Sequence, residues 1–356
     1  MAKNKRKFLI IVGARPNFIK TAPLLKELKK YKNISAVLLH TGQHYDYEMS
    51  EVFFKSLNIS KPKYNLNIAS GPSPEQIARM MIGIEKVCFK ENPDLIIVFG
   101  DVNSTLAGAL VAVKLDLKLA HIESGLRSYD RSMPEEINRV LTDEVSNFLF
   151  CPTKDAVANL KKEGIKKNIF NAGDIMHDVF LKNKIKKSNI LKKLKLIPKE
   201  YLLLTIHRSA NADNLQKLES ILWAVGQSKE NIIFPCHPRT RKTLKNLKIG
   251  KNIKIIKPVG YFDILELEKK AKKIITDSGG IQKEAYWAKV PCITLRNNTE
   301  WKETLKGGWN ILVGSNKSKI LNAIKLPDPK AKQKKYFGNG NSAKKIAKIL
   351  SNGKIF

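Results

Sequence analysis

Leu95-Ile96-Ile97-Val98-Phe99-Gly100-Asp101-Val102-Asn103-Ser104 is the stretch that decides the fold. An apolar run reads as a buried strand, a glycine turns the chain, and an apolar helical pattern follows. Leu117-Lys118-Leu119-Ala120-His121-Ile122 repeats the pattern and runs into Glu123-Ser124-Gly125-Leu126-Arg127. Met133-Pro134-Glu135-Glu136-Ile137-Asn138-Arg139 comes next, with proline where it suits the first turn of a helix. Strands alternating with helices predict a parallel sheet, whose ligands bind beyond the carboxyl ends of the strands. Asp101 and Glu123 are therefore expected to point into one crevice. A single acid at such a turn is most simply a helix cap. Three in one segment, interleaved with Arg127 and Arg139, point to proton transfer, because close acids can be tuned to different protonation states.

The alternation continues along most of the 356 residues, a length that favours two domains. Strand-like runs at 8–12, 36–40, 95–99, 118–122 and 148–151 make a first α/β domain, expected over 1–175. A lysine-rich stretch ending at Pro198 marks a joint. Runs near 201–206, 231–235, 253–256, 273–276 and 291–295 make a second domain, expected over 176–339. A last helix within 340–356, with Ile346, Ile349 and Leu350 at helical spacing, is expected to pack back on the first. Two Rossmann-like α/β domains facing each other across a cleft is the expected architecture.

Lys and Arg number 65 against 32 Asp and Glu, a formal charge of +33. The lysines are spread along amphipathic helices, without a zinc-finger or RRM-like signature or an aromatic stacking platform. They argue for attraction of anionic ligands and not for a nucleic-acid partner. The basic start before Phe8-Leu9-Ile10-Ile11-Val12 imitates a signal peptide, but Gly13-Ala14-Arg15-Pro16 follows in place of a cleavage site, so a first strand is the better reading. No segment is apolar and long enough to span a membrane. Cys88, Cys151, Cys236 and Cys292 lack CxxC spacing and suit a reducing cytoplasm.

The second half adds different chemistry at its strand ends: His207-Arg208, His237-Pro238, and Asp277-Ser278-Gly279-Gly280 followed by Glu284. Ser278 and two glycines at a strand-to-helix turn leave backbone N–H groups free for a phosphate, and Glu284 could accept hydrogen bonds from a ribose. The histidines have no third ligand at metal spacing. Gly13-Ala14-Arg15-Pro16 lacks the glycine pattern of a nicotinamide site, and Arg15 and Lys20 look like cations for an anionic ligand.

In this order the motifs resemble the non-hydrolysing UDP-N-acetylglucosamine 2-epimerase family, of GT-B fold. Gly13-Ala14-Arg15-Pro16 with Lys20, Thr41-Gly42-Gln43-His44, Gly100-Asp101, His121 to Arg127, Pro134 to Arg139, His207-Arg208, His237-Pro238, Asp277 to Gly280 and Thr299-Glu300 carry the likeness across nearly the whole chain. The resemblance implies elimination of UDP to a 2-acetamidoglucal and its re-addition with C2 inverted, without metal or other cofactor, by a cytoplasmic homodimer serving polysaccharide synthesis. It implies a catalytic group of Asp101, Glu123, Glu135 and His207. It implies substrate contacts from Arg15, Lys20, Arg127, Arg139, Arg208, His237, Ser278, Gly279, Gly280 and Glu284, and an allosteric role for Gln43 and His44. Two positions depart from the family pattern. Ala210 replaces a glutamate after His207-Arg208, and Trp301 follows Thr299-Glu300 where an arginine is usual. The Thr-Glu-Trp variant is similar to a sister group acting on UDP-2,3-diacetamido-2,3-dideoxyglucuronate. A GT-B glycosyltransferase and a hydrolysing epimerase are competing readings; the cluster of acids disfavours the first and the lack of a kinase extension the second.

Overall fold

The computed structural model describes residues 5–43, 61–183, 188–245 and 247–352, with the side chains of 15, 238 and 239 outside that description. The chain divides into two units, 1–181 with 335–356, and 182–334. It leaves the first unit six residues beyond the expected 175. Helix Ile175–Asn183 explains this: Ile175, Met176, Val179 and Phe180 are buried, and the Asp174 amide donates to the Phe337 carbonyl (2.9 Å).

The first unit holds a seven-stranded parallel sheet of β1 (Arg6–Val12), β2 (Ile34–His40), β3 (Tyr64–Asn65), β4 (Leu95–Phe99), β5 (Lys118–Ile122), β6 (Phe148–Cys151) and β7 (Ile169–Asn171). Its order is β3-β2-β1-β4-β5-β6-β7. The apolar run after the basic start is thus a central strand. Phe8, Ile10 and Val12 face one core and Leu9 and Ile11 another, as expected of a sheet covered by helices on both faces. Ala343, Ile346, Ala347 and Leu350 of helix Ser342–Ser351 share the first of these cores with Phe18 and Leu24 of helix Arg15–Leu28.

The second unit holds a six-stranded parallel sheet, β10-β9-β8-β11-β12-β13. Its strands are β8 (Leu202–Thr205), β9 (Ile232–Pro235), β10 (Ile253–Ile256), β11 (Lys273–Thr276), β12 (Cys292–Thr294) and β13 (Asn310–Leu312). In both sheets the order reverses once, between β1 and β4 and between β8 and β11. Such switch points are where doubly wound sheets bind ligands. No helix of the described residues is long and apolar enough to cross a membrane.

Away from these ends, Glu91 closes helix Ser73–Glu91 beneath three donors. Lys63 Nζ lies 2.6 Å and the Tyr64 hydroxyl 2.5 Å from Oε1, and Lys7 Nζ 3.1 Å from Oε2. The hydrogen bonds from Lys63 and Tyr64 hold its carboxyl down at about 2. A depressed carboxylate contributes stability above its unfolded value, about 4.3, which is lost as pH falls towards the folded value. Glu91→Gln should therefore be less stable than wild type at pH 7, with the gap closing between pH ~4.5 and ~2 in urea titrations. A gap that persists unchanged at the acid end would exclude this linkage.

Candidate active site

In the first unit, the turns after β1, β4 and β5 lie side by side at the carboxyl edge of the sheet. Gly13 follows β1, and a Cβ there would lie 1.8 Å from Ser104 Oγ, so only glycine lets the turn approach helix Asn103–Lys114. Asn17 Nδ2 and Thr105 Oγ1 both donate to the Phe99 carbonyl (2.9 and 2.7 Å), fixing the end of β4. Gly100 then turns at φ +63° and delivers Asp101, whose side chain keeps 30% of its exposure and pairs with Arg139. Glu123 leaves β5 at φ +76°, an uncommon conformation for a residue with a side chain. Its carboxylate pairs with Lys20 of helix Arg15–Leu28. The Lys20 ammonium would lie 3.2 Å from a Cβ on Gly100, so it sits between the two acid-bearing turns.

Glu135 stands half-buried in the first turn of helix Pro134–Val145, and Asn138 of that helix donates to the Asp101 carbonyl (2.9 Å). Glu136 faces inward, accepting from the Ser128 amide and hydroxyl (both 2.9 Å), the Tyr129 amide (2.8 Å) and Arg139 (2.6 Å). Asp101, Glu123 and Lys20 thus gather at one edge. Arg127 and Arg139, expected as ligand contacts, do not present free guanidinium groups there. Arg139 is buried between Asp101 and Glu136. Arg127 is 1% exposed and forks onto Glu163 (2.8 and 2.6 Å) while donating to Asp143 (2.7 Å) and the Leu126 carbonyl (2.6 Å). Both are engaged by buried carboxylates beneath the acids. Gln43 accepts from the Ser104 amide and hydroxyl (3.0 and 2.7 Å). Its neighbour His44 and the Arg15 side chain lie outside the described residues.

In the second unit, His207 follows β8 and Asp277 follows β11. Asp277 is fully buried and accepts from the His207 amide (3.1 Å), the Arg208 amide (3.1 Å) and Asn211 Nδ2 (3.2 Å). Its carboxylate also lies 3.2 Å from His207 Nδ1. Burial alone would raise this carboxyl, but the hydrogen bonds and charge of His207 outweigh it and hold Asp277 below its ordinary value. An ionised acceptor at Nδ1 keeps the proton on that nitrogen and leaves Nε2 of an exposed ring to act as base or acceptor. The His237 ring lies 6.4 Å from that of His207.

Ser278 caps helix Gly279–Ala288, its hydroxyl accepting from the Ile281 amide (3.4 Å). A Cβ on Gly279 would lie 2.5 Å from Glu300 Oε1 and 3.2 Å from Trp301 Nε1, so the glycine permits the close fit of these side chains over the turn; Gly280 is more open. Glu300 pairs with Arg296 (2.8 Å), and Arg208 comes within 3.8 Å of it. Glu284 is buried and accepts from the Tyr261 hydroxyl (3.2 Å). Trp301 is 2% exposed, with the Lys283 ammonium 3.8 Å above its ring, while Ala210 is exposed. Among the described residues no three His, Cys, Asp or Glu side chains gather closely enough to hold a metal ion.

Sequence reading assigned no role to Asp277, although it ends its strand as Asp101 follows β4, and that position was the available signal. It also passed over His121 in its own motif, and Asp143, four residues after Arg139 on the same helix face.

The family model for UDP-N-acetylglucosamine 2-epimerase matches residues 26–351. A Methanococcus maripaludis protein described as a UDP-N-acetylglucosamine 2-epimerase homolog is 54% identical over 97% of this chain and 99% of its own. A Pseudomonas aeruginosa UDP-2,3-diacetamido-2,3-dideoxy-D-glucuronate 2-epimerase is 41% identical over 97% and 99%. Among solved structures, Methanocaldococcus jannaschii UDP-GlcNAc 2-epimerase in complex with UDP-GlcNAc and UDP superposes with a TM-score of 0.91 at 49% identity, over 98% of this chain and all of that one. Two Rossmann-like units of the GT-B kind and a family match over most of the length agree: the chain belongs to the UDP-N-acetylglucosamine 2-epimerase family.

Proposed function

We propose that this protein is an isomerase that interconverts UDP-N-acetylglucosamine and UDP-N-acetylmannosamine by elimination and re-addition of UDP. The observation that carries the reading is the pair of acids, Asp101 and Glu123, at neighbouring strand ends within a chain of this family. A base takes the C2 proton, the C2–H electrons become the C1–C2 double bond, and the bond from C1 to the diphosphate oxygen breaks. In the return step the diphosphate oxygen attacks C1 and a proton reaches C2 on the opposite face. Asp101, Glu123, Glu135 and His207 share the proton transfers, which require one group in its acid form and one in its base form on either face. The C2 hydrogen moves as a proton, so the reaction needs no hydride carrier.

UDP is assigned to the second unit's turns: the Gly279 and Gly280 amides at a helix N-terminus and the Ser278 hydroxyl beside them suit a phosphate, and Glu284 suits a ribose, with Arg208 and His237 as further contacts. Ser278→Ala should weaken UDP binding by about 1 kcal/mol, the loss of one hydrogen bond, as read by calorimetry. Unchanged affinity would take Ser278 out of the phosphate-binding turn.

Incubation with UDP-N-acetylglucosamine alone should give the manno-configured UDP-sugar, with the same equilibrium mixture reached from either side. A requirement for an added acceptor would make the protein a transferase. Buried Trp301 in the place of the usual arginine, with the 41% identical Pseudomonas relative, supports a second reading, in which the substrate is UDP-2,3-diacetamido-2,3-dideoxyglucuronate. Turnover of that sugar with none of UDP-N-acetylglucosamine would decide for it.

The protein is further proposed to act in the cytoplasm, in keeping with four buried free thiols, and as a homodimer. Exposed Ile82, Phe89, Val113, Ile137 and Leu141, on three helices of which Asn103–Lys114 packs against both others, support self-association. Sedimentation equilibrium at 40.2 kDa, the monomer mass, would exclude it.

A further inference from the structure

His121 lies in β5, wholly buried, two residues before Glu123. Its ring is bonded at both nitrogens: Nδ1 lies 2.7 Å from Asp143 Oδ1, and Nε2 lies 2.7 Å from the Gly100 carbonyl oxygen. A carbonyl can only accept, so Nε2 carries a proton. Asp143 already accepts on its other oxygen from Arg127 (2.7 Å) and the Gly125 amide (3.0 Å). Burial would raise this carboxyl, but His121 and Arg127 outweigh burial and hold it below its ordinary value. Asp143 is therefore an anion, and Nδ1 must donate to it.

We infer that His121 is a positioning residue held as an imidazolium, which ties the Asp101 turn and the Glu123 turn to one buried network of charges. The inference rests on the reading that these two acids perform the proton transfers.

The four charges linked through the ring and Arg127 balance among themselves. His121 and Arg127 are positive, Asp143 from helix Pro134–Val145 and Glu163 beyond helix Lys154–Lys162 are negative. Lys20 and Glu123 pair at the strand's end, and Arg139 pairs with Asp101 and Glu136. From β6, Cys151 stays a neutral thiol, pushed up to about 12 by burial. The residues paired with His121 on the neighbouring strands, Val98 and Leu149, carry no charge. Loss of either ring proton would set a lone pair against an oxygen at 2.7 Å and leave the cluster with a net negative charge around a buried ring.

The tie acts at both turns. The Gly100 carbonyl is gripped by His121 while its amide donates to the Ile122 carbonyl (2.9 Å), so the peptides flanking Gly100 cannot swing and carry Asp101 away. On the other side, the Gly125 amide is held by Asp143 and the Glu123 amide by the Phe150 carbonyl (3.0 Å), which maintains Glu123 in its left-handed conformation. A neutral side chain at 121 can satisfy one end of this bridge and leaves the other slack.

The test has two readouts on the full chain. Histidine-selective 15N NMR follows the ring nitrogens, with the His121 signals assigned by their loss in His121→Gln. Both nitrogens should carry protons at pH 7.5, one shared with Asp143 and one with the Gly100 carbonyl. A single ring proton at pH 7.5 would overturn the inference. In parallel, His121→Gln, checked for folding by thermal denaturation, should lose about 100-fold in kcat, the scale expected of a misplaced catalytic group, with its UDP affinity unchanged. Turnover within about threefold of wild type would overturn the positioning role. Wild type that converts no UDP-sugar would instead count against the functional reading, and the ring protons would still judge the charged tie.

Discussion

Asp101→Asn and Glu123→Gln should each lower turnover by about 10²–10⁴-fold, the usual contribution of one positioned acid or base, while UDP affinity changes little. The substitutions keep the shape of each side chain and remove its charge together with its ability to exchange a proton. Asp101 sits at a turn fixed from below by Arg139 and Asn138, so an amide there stays in place. Glu123 loses its pair with Lys20, and the buried ammonium then faces a neutral amide. UDP is assigned to turns of the other unit, so its binding isotherm should move by no more than a few-fold. Near-normal turnover in both variants would remove the acids from the mechanism. Strong loss of UDP affinity in either would assign that residue to binding.

The second large effect falls on an arginine that looked like a ligand contact. Arg127→Met should cost about 3 kcal/mol of folding stability, because removing one partner of a buried ion pair leaves its counter-charge uncompensated. The estimate sits at the low end of that class because Glu163 is a third exposed and Asp143 keeps His121. Urea unfolding should show a lower midpoint without a change in slope, and nucleotide affinity should persist below the transition. A variant of normal stability that no longer binds the UDP-sugar would reverse the assignment and make Arg127 the contact its motif suggested.

That arginine marks the limit of what could be read from the sequence. The central strands were legible because each is a run of apolar residues bounded by glycine or acid, as at Leu95–Phe99 and Lys273–Thr276. The strands Tyr64–Asn65, Ile169–Asn171 and Asn310–Leu312 were not, since two or three residues gain their assignment only from the neighbour they pair with. The acids were legible from their place at strand ends. Their cations were not: Arg127 meets partners 16 and 36 residues away, Asp143 and Glu163, and no local pattern announces which buried carboxylate will claim a guanidinium. His121 illustrates the same point, because its two acceptors come from a turn and a helix on opposite sides of it in the chain. Asp277 was readable in principle from its place directly after an apolar strand.

Proton exchange at C2 reads out the elimination step itself. The purified protein is incubated with UDP-N-acetylglucosamine in D2O, without acceptor or cofactor, and the sugar is followed by NMR. A manno-configured UDP-sugar carrying deuterium at C2 is expected, with the same label entering recovered UDP-N-acetylglucosamine as the reaction reverses. Epimerisation in which the original C2 hydrogen is retained, or no exchange in a protein that binds both UDP and the sugar nucleotide, would contradict elimination and re-addition of UDP.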